Sequence, residues 1–195
     1  TFMIERSLGH IADMLGGEIS DSKFSNVEVK GVSIDSRTIE KDNLYIPIIG
    51  EKFDGRLFIK ECQDAGACAF LIDRDYKLSS GIKLPHIIVE DTKKALQDLA
   101  RAYRQELDIK IVAITGSNGK TTTKNIIHSV LKTKYKVEKT QGNLNNDIGL
   151  PRTVLNFKED TEIGILEMGT DDFGDIRVLT GIGKPDIAII TNIGD

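Results

Sequence analysis

From Ile109 onward the chain repeats one pattern, in which a short apolar run leads into a polar turn and then a segment with helical spacing. "KIVAIT" opens through a glycine loop into "KTTTKNIIHSVLKTK" and "YKVEKT" into an amide-rich loop. "EIGILEMG" then leads into "FGDIRVLTGIG", and "DIAIIT" follows. Strands that are apolar on both faces and alternate with helices predict a parallel sheet covered on both sides. In such a sheet, ligands gather at the carboxyl ends of the strands.

The preceding residues read as a separate, smaller α/β unit. "RSLGHIADMLGG" has the spacing of a short amphipathic helix closed by paired glycines, and "EVKGVSID" and "LYIPII" are β-rich. "GRLFIKECQDAGA" predicts a helix before the strand "CAFLID", with "PHIIVED" as a further strand. Asp91 or Thr92 is placed to cap a helix over "KKALQDLARAYRQEL", whose Leu96, Leu99, Ala100, Tyr103 and Leu107 share one face. The expected division is therefore residues 1–90 and 91–195.

Composition narrows the class. A net charge of -4 argues against a sequence-independent grip on nucleic acid, which requires a basic surface. No apolar run reaches the roughly 18 residues of a membrane span, and "TFMIERSLGH" lacks the layout of a signal peptide. Cys62 and Cys68 do not make a disulfide framework in a chain of 195 residues and read as reduced thiols, which points to the cytoplasm. His10, His86 and His128 read as packing or surface residues.

The loop "GSNGKTT" carries the most specific chemistry. Gly116 and Gly119 allow a tight turn that aims backbone N–H groups at a phosphate, and the following helix adds the positive end of its dipole. Ser117 and Asn118 complete the turn. Lys120 is placed near the β and γ phosphates, and Thr121, followed by Thr122, offers a hydroxyl to Mg²⁺. Position 114 is Ile where the general phosphate-loop pattern has glycine, so this is a shorter variant, G-x-x-G-K-T. Glu167 ends an apolar strand, where a carboxylate can hold Mg²⁺ directly or through water. Between these elements "TQGNLNNDIGLP" is rich in side-chain amides. Asn143, Asn145 and Asn146 there equally suit ordinary turns with left-handed backbone.

The segments "TGSNGKTTTK", "TQGNLNNDIGLP", "ILEMGTDDFGDI" and "VSIDSRTIEKDNLYIPIIGEKFDGRLFI" resemble the Mur ligases of bacterial peptidoglycan synthesis over essentially the whole chain. "GNLNN" and "LEMG" are most similar to the members that join D-alanyl-D-alanine to UDP-N-acetylmuramoyl-tripeptide. The resemblance implies an ATP- and Mg²⁺-dependent, cytoplasmic, monomeric ligase that forms an amide through an acyl phosphate. Gly116 to Thr122 would cradle ATP, Lys120 and Glu167 would be catalytic, and Thr121 and Glu167 would serve the metal. Asn143, Asn145 and Asn146 would line the site between ATP and the muramoyl tripeptide. Asp35, Ser36 and Arg37 of "SIDSR" would face the UDP moiety, although they also suit a turn after a strand.

Complete members of the group continue beyond "TNIGD". The resemblance thus implies a UDP-binding domain, residues 1–90, and the first part of a phosphate-loop ATPase domain, residues 91–195, inactive in isolation. The final strand is expected to expose an edge and apolar surface. A sister ligase that adds a single diamino acid, or a non-catalytic UDP-sugar module, are the alternatives. A GTPase switch is disfavoured because "TNIGD" carries no Asn-Lys-x-Asp signature.

Overall fold

The computed structural model describes residues 4–170 and 173–194. The chain divides into two compact units, Thr1–Leu99 and Ala100–Asp195.

In the first unit, β1 (Glu5–Ser7) runs into α1 (Leu8–Leu15), followed by β2 (Glu18–Ile19), β3 (Glu28–Lys30), β4 (Val32–Ser33) and β5 (Leu44–Tyr45). Then come β6 (Ile49–Gly50), β7 (Phe53–Asp54), α2 (Ile59–Ala65), β8 (Ala69–Asp73) and β9 (His86–Val89). The main sheet is 5-stranded in the order β2-β9-β8-β5-β4. It is parallel except for β2, which pairs antiparallel with β9. Local signals set the helix ends. The Ser7 hydroxyl accepts from the His10 N–H at 3.2 Å, and Gly16, at φ 58°, lets the chain leave α1 through the left-handed region. Tyr45, Ile59, Cys62, Ala67, Phe70 and Ile72 form one buried cluster between α2 and the sheet. Each large side chain buried in this way contributes about 1.5–3 kcal/mol.

Helix α3 (Thr92–Glu106) is capped by Asp91, whose carboxylate accepts from the Lys94 N–H at 2.6 Å. Leu96, Leu99, Ala100, Tyr103 and Leu107 are all buried, as the spacing predicts.

The second unit continues with β10 (Lys110–Thr115), α4 (Lys120–Leu131), β11 (Val137–Lys139), α5 (Gly149–Leu155), β12 (Ile163–Glu167), α6 (Asp175–Gly183) and β13 (Ile187–Ile190). Its 4-stranded sheet has the order β11-β12-β10-β13, and every pairing is parallel. Val112, Ile114 and Ile165 form a buried cluster, against which Ile127 and Leu131 of α4 pack. The α/β architecture expected from the sequence is present in both units. β13 lies at a sheet edge, with Ile187 58% and Ile190 61% exposed.

Several short elements were not foreseen. "GLPRTVL" forms α5 although it opens with Gly and Pro, because proline in a first turn gives up no intrahelical hydrogen bond. Gly149 is required there, since a Cβ would lie 2.6 Å from Leu144 Cα. The β6–β7 pair contributes only two residues per strand, too few for an alternating pattern to register.

Candidate functional site

The parallel sheet of the second unit brings the carboxyl ends of β10, β12 and β13 side by side. Each end carries part of the site. The loop from Gly116 to Gly119 leaves β10 and starts α4, with Gly116 at φ 132° and Gly119 at φ 83°, conformations that side-chain-bearing residues rarely adopt. Gly116 is also needed for space, because a Cβ there would meet Thr191 Oγ1 at 2.2 Å. Gly119 is the N-cap of α4 and has no side chain to offer, so the first-turn N–H groups face the loop without a side-chain cap.

The segment after β13 holds this loop. Thr191 Oγ1 donates to Asn118 O at 2.6 Å, and Asn192 accepts from the Asn118 N–H through Oδ1 at 2.9 Å and from the Ser117 N–H through its carbonyl at 3.3 Å. Ser117 Oγ accepts from the Gly194 N–H at 2.8 Å. Neither Thr191 nor Asn192 stands out in the sequence. Their role follows from β13 being the hydrogen-bonded neighbour of β10, which is visible only once the strand order is known. Lys120 Nζ donates to Gly116 O at 2.6 Å, so its ammonium curls over the loop that it follows. Thr122, in the first turn of α4, is exposed.

Glu167, at the end of β12, is 3% exposed and sits in a set of donors. Thr121 Oγ1 donates to it at 3.1 and 3.3 Å, Asn145 Nδ2 donates to Oε1 at 3.2 Å, and Lys124 Nζ lies 2.9 Å from Oε2. Its backbone N–H donates to Thr140 Oγ1 at 2.9 Å. Burial alone would push the Glu167 carboxyl up. Hydrogen bonding and charge from Lys124, with the Asn145 and Thr121 hydrogen bonds, bring it below the usual glutamate value. The carboxylate is therefore ionised at neutral pH. An oxygen-only pair of carboxylate and hydroxyl suits a hard divalent cation such as Mg²⁺.

Lys124 is the residue that sequence reasoning missed here. Nothing in the sequence singles it out, yet its side chain is 3% exposed. The available signal was its position three residues after Thr121, on the same side of the helix.

The three asparagines separate. Asn145 reaches Glu167 and also binds the Gly169 N–H through its carbonyl at 2.7 Å. Asn146 Oδ1 accepts from the Gly149 and Ile148 N–H groups at 2.7 and 3.3 Å, so it starts α5. Asn143 is exposed, and its carbonyl accepts from the Asn145 N–H at 2.8 Å. Asp171 and Asp172 of the "LEMGTDDFGD" segment lie outside the described residues.

In the first unit Asp35 caps a short helical turn, Ser36–Thr38, by accepting from the Arg37 N–H at 3.0 Å. It also takes two hydrogen bonds from the Arg37 guanidinium, at 2.9 and 2.6 Å. Ser36 lies in that turn, half-buried. The turn foreseen after the strand exists, and it presents an Arg37 side chain that is 83% exposed.

Residues 28–104 match the Mur ligase family, catalytic domain, and residues 114–195 the Mur ligase middle domain. A protein of Bacillus subtilis (strain 168) named UDP-N-acetylmuramoyl-tripeptide--D-alanyl-D-alanine ligase is 47% identical over 193 residues, covering 99% of this chain and 42% of that protein. MurF from Acinetobacter baumannii superposes with a TM-score of 0.91 at 28% identity, covering 100% of this chain and 42% of that one. MurF from Thermotoga maritima, solved in complex with ADP, gives a TM-score of 0.73 at 37% identity over 84% of this chain and 37% of that one. The chain thus spans about two fifths of the length of the relatives it matches. With both segments matched in order, and with relatives of this identity along nearly its full length, the chain belongs to the Mur ligase family.

Proposed function

We propose that this chain carries the nucleotide site and the UDP-substrate site of an ATP-dependent ligase that joins D-alanyl-D-alanine to UDP-N-acetylmuramoyl-tripeptide. The observation that carries the reading is the convergence of the glycine loop, Lys120, Thr121 and a buried, ionised Glu167 at adjacent strand ends. The names of the relatives supply the substrates, and the ADP bound to the Thermotoga maritima protein supplies the nucleotide class.

In this reading the loop amides and the start of α4 take the phosphates of ATP, while Thr121 and Glu167 would hold Mg²⁺, which would supply charge neutralisation on the transferring phosphate. The terminal carboxylate of the tripeptide attacks the γ-phosphorus, and ADP leaves. The amine of D-alanyl-D-alanine then attacks the acyl carbon, loses a proton and expels phosphate. Such transfer requires positioning and charge more than covalent help. Lys120 leaves Gly116 O to follow the γ-phosphate. Asn145 and Asn143 lie along the path between nucleotide and tripeptide, with Asn146 shaping that loop through α5. Asp35 orients Arg37 toward the UDP moiety beside Ser36, with residues 1–90 taking the UDP-linked substrate and residues 91–195 the ATP. Such an enzyme works in the cytoplasm, as a monomer, on nucleotide-linked precursors.

The test is phosphate release by the complete protein with ATP, Mg²⁺, UDP-N-acetylmuramoyl-tripeptide and D-alanyl-D-alanine, each omitted in turn. Dependence on both peptide substrates is expected. Release with a single diamino acid and a shorter precursor would instead assign a sister ligase. No release with any acceptor would leave a binding module.

A further inference from the structure

We propose that Lys124 is the resident counter-ion of Glu167, and that it makes cation binding at this carboxylate depend on the arrival of nucleotide. The inference rests on the reading of Glu167 as a Mg²⁺ ligand. Lys124 lies one turn beyond Thr121 on α4, and both side chains reach the same carboxylate. The Lys124 and Glu167 side chains are 3% and 4% exposed, with Nζ 2.9 Å from Oε2. At that burial the ammonium has no solvated alternative nearby, and removing it would leave an ionised carboxylate unpaired away from water.

A divalent ion that approaches Glu167 alone therefore meets a fixed positive charge at contact distance from one of its two ligating oxygens. Little solvent is present to screen that repulsion. The other oxygen already accepts from Asn145. Among the described residues no group of three or more His, Cys, Asp or Glu side chains is placed to share the ion. An ion arriving with a nucleotide brings phosphate oxygens whose negative charge offsets Lys124, and the carboxylate can then be shared between ammonium and metal. Lys124 touches Glu167 and is a positioning residue: it keeps the carboxylate charged, oriented and closed to free cations.

The experiment measures Mn²⁺ binding by electron paramagnetic resonance in the complete protein, with and without ADP. It compares wild type with Lys124→Gln, which keeps a donor but removes the charge, Lys124→Arg, which keeps the charge, and Glu167→Gln. Nucleotide-free Mn²⁺ is expected to bind the wild type at least about tenfold more weakly than the Mn²⁺–ADP pair, a coupling of ordinary size. Lys124→Gln should tighten nucleotide-free binding at least about tenfold, Lys124→Arg should not, and adding Glu167→Gln should abolish the gain. Two results overturn the proposal: wild type that binds Mn²⁺ equally well with and without ADP, or Lys124→Gln that leaves nucleotide-free affinity unchanged. The first needs no variant to fold. Where Glu167→Gln weakens Mn²⁺–ADP binding but Lys124→Gln changes nothing, only the role of Lys124 falls. Where Glu167→Gln leaves Mn²⁺–ADP affinity intact, the metal-ligand reading falls and takes this inference with it.

Discussion

The two units each present an acid–base pair at a predicted site, and the pairs differ in the opposite sense from their distances. Arg37 and Asp35 approach to 2.6 Å, closer than Lys124 and Glu167 at 2.9 Å. Yet the first pair is 83% and 32% exposed and the second 3% and 4%. An exposed pair competes with water and salt, so its short contact holds little free energy and Arg37 is free to exchange Asp35 for an incoming anion. A buried pair has no such alternative, and each partner depends on the other. The first arrangement suits a residue that must greet a substrate, and the second suits one that must hold its place.

The largest effect expected is on chemistry. Lys120→Ala should lower phosphate release roughly 10²- to 10³-fold, the usual loss when a preorganised charge is removed from a transition state, with little change in melting temperature. A drop confined to KM would shift the role of Lys120 to ground-state binding.

Lys124→Met should destabilise the nucleotide-free protein by about 3 kcal/mol, as expected for a buried ion pair that loses one partner. Denaturant unfolding would reveal it. If stability is unchanged, Glu167 is less isolated from water than its burial indicates.

Gly116→Ala should cost about 1–3 kcal/mol through positive-φ strain, and its Cβ would also push against Thr191 Oγ1. Loss of ADP affinity measured by calorimetry should exceed the loss of stability.

Acidification sharpens the contrast. The folded-state carboxyl of Glu167 is held below its ordinary value, so its contribution is complete above that value and is lost as pH falls through the folded one. In Lys124→Met the opposing effect of burial dominates, and the loss should begin at higher pH in urea melts across the acid range. The smallest effect belongs to Arg37→Ala. It should leave stability within error and raise KM for the UDP-linked substrate, whereas a drop in melting temperature with unchanged KM would return the segment to a purely structural turn.

Much of this was legible in the sequence because it rests on local rules. The apolar runs gave β10, β12 and β13 their places, and the paired glycines before Lys-Thr marked a loop requiring positive φ. What remained hidden depends on which strand lies beside which. Lys124 is buried only because β12 brings Glu167 opposite α4, and Thr191 clamps the loop only because β13 pairs with β10. Asn146 shows the converse. A residue that suits a binding loop is used by the backbone, and its oxygen is occupied at the start of α5.

The parallel sheet also acts as a ruler. The phosphate loop, the carboxylate and the clamp leave three hydrogen-bonded neighbours, so their separations are multiples of the roughly 4.8 Å between strands and not of the connecting segments. Insertions in those connections leave the spacing intact. A slip of β12 by one residue against β10 would instead put Leu166 or Met168 where Glu167 stands and turn the carboxylate to the opposite face. The chemistry is thus protected against changes in length and exposed to changes in register.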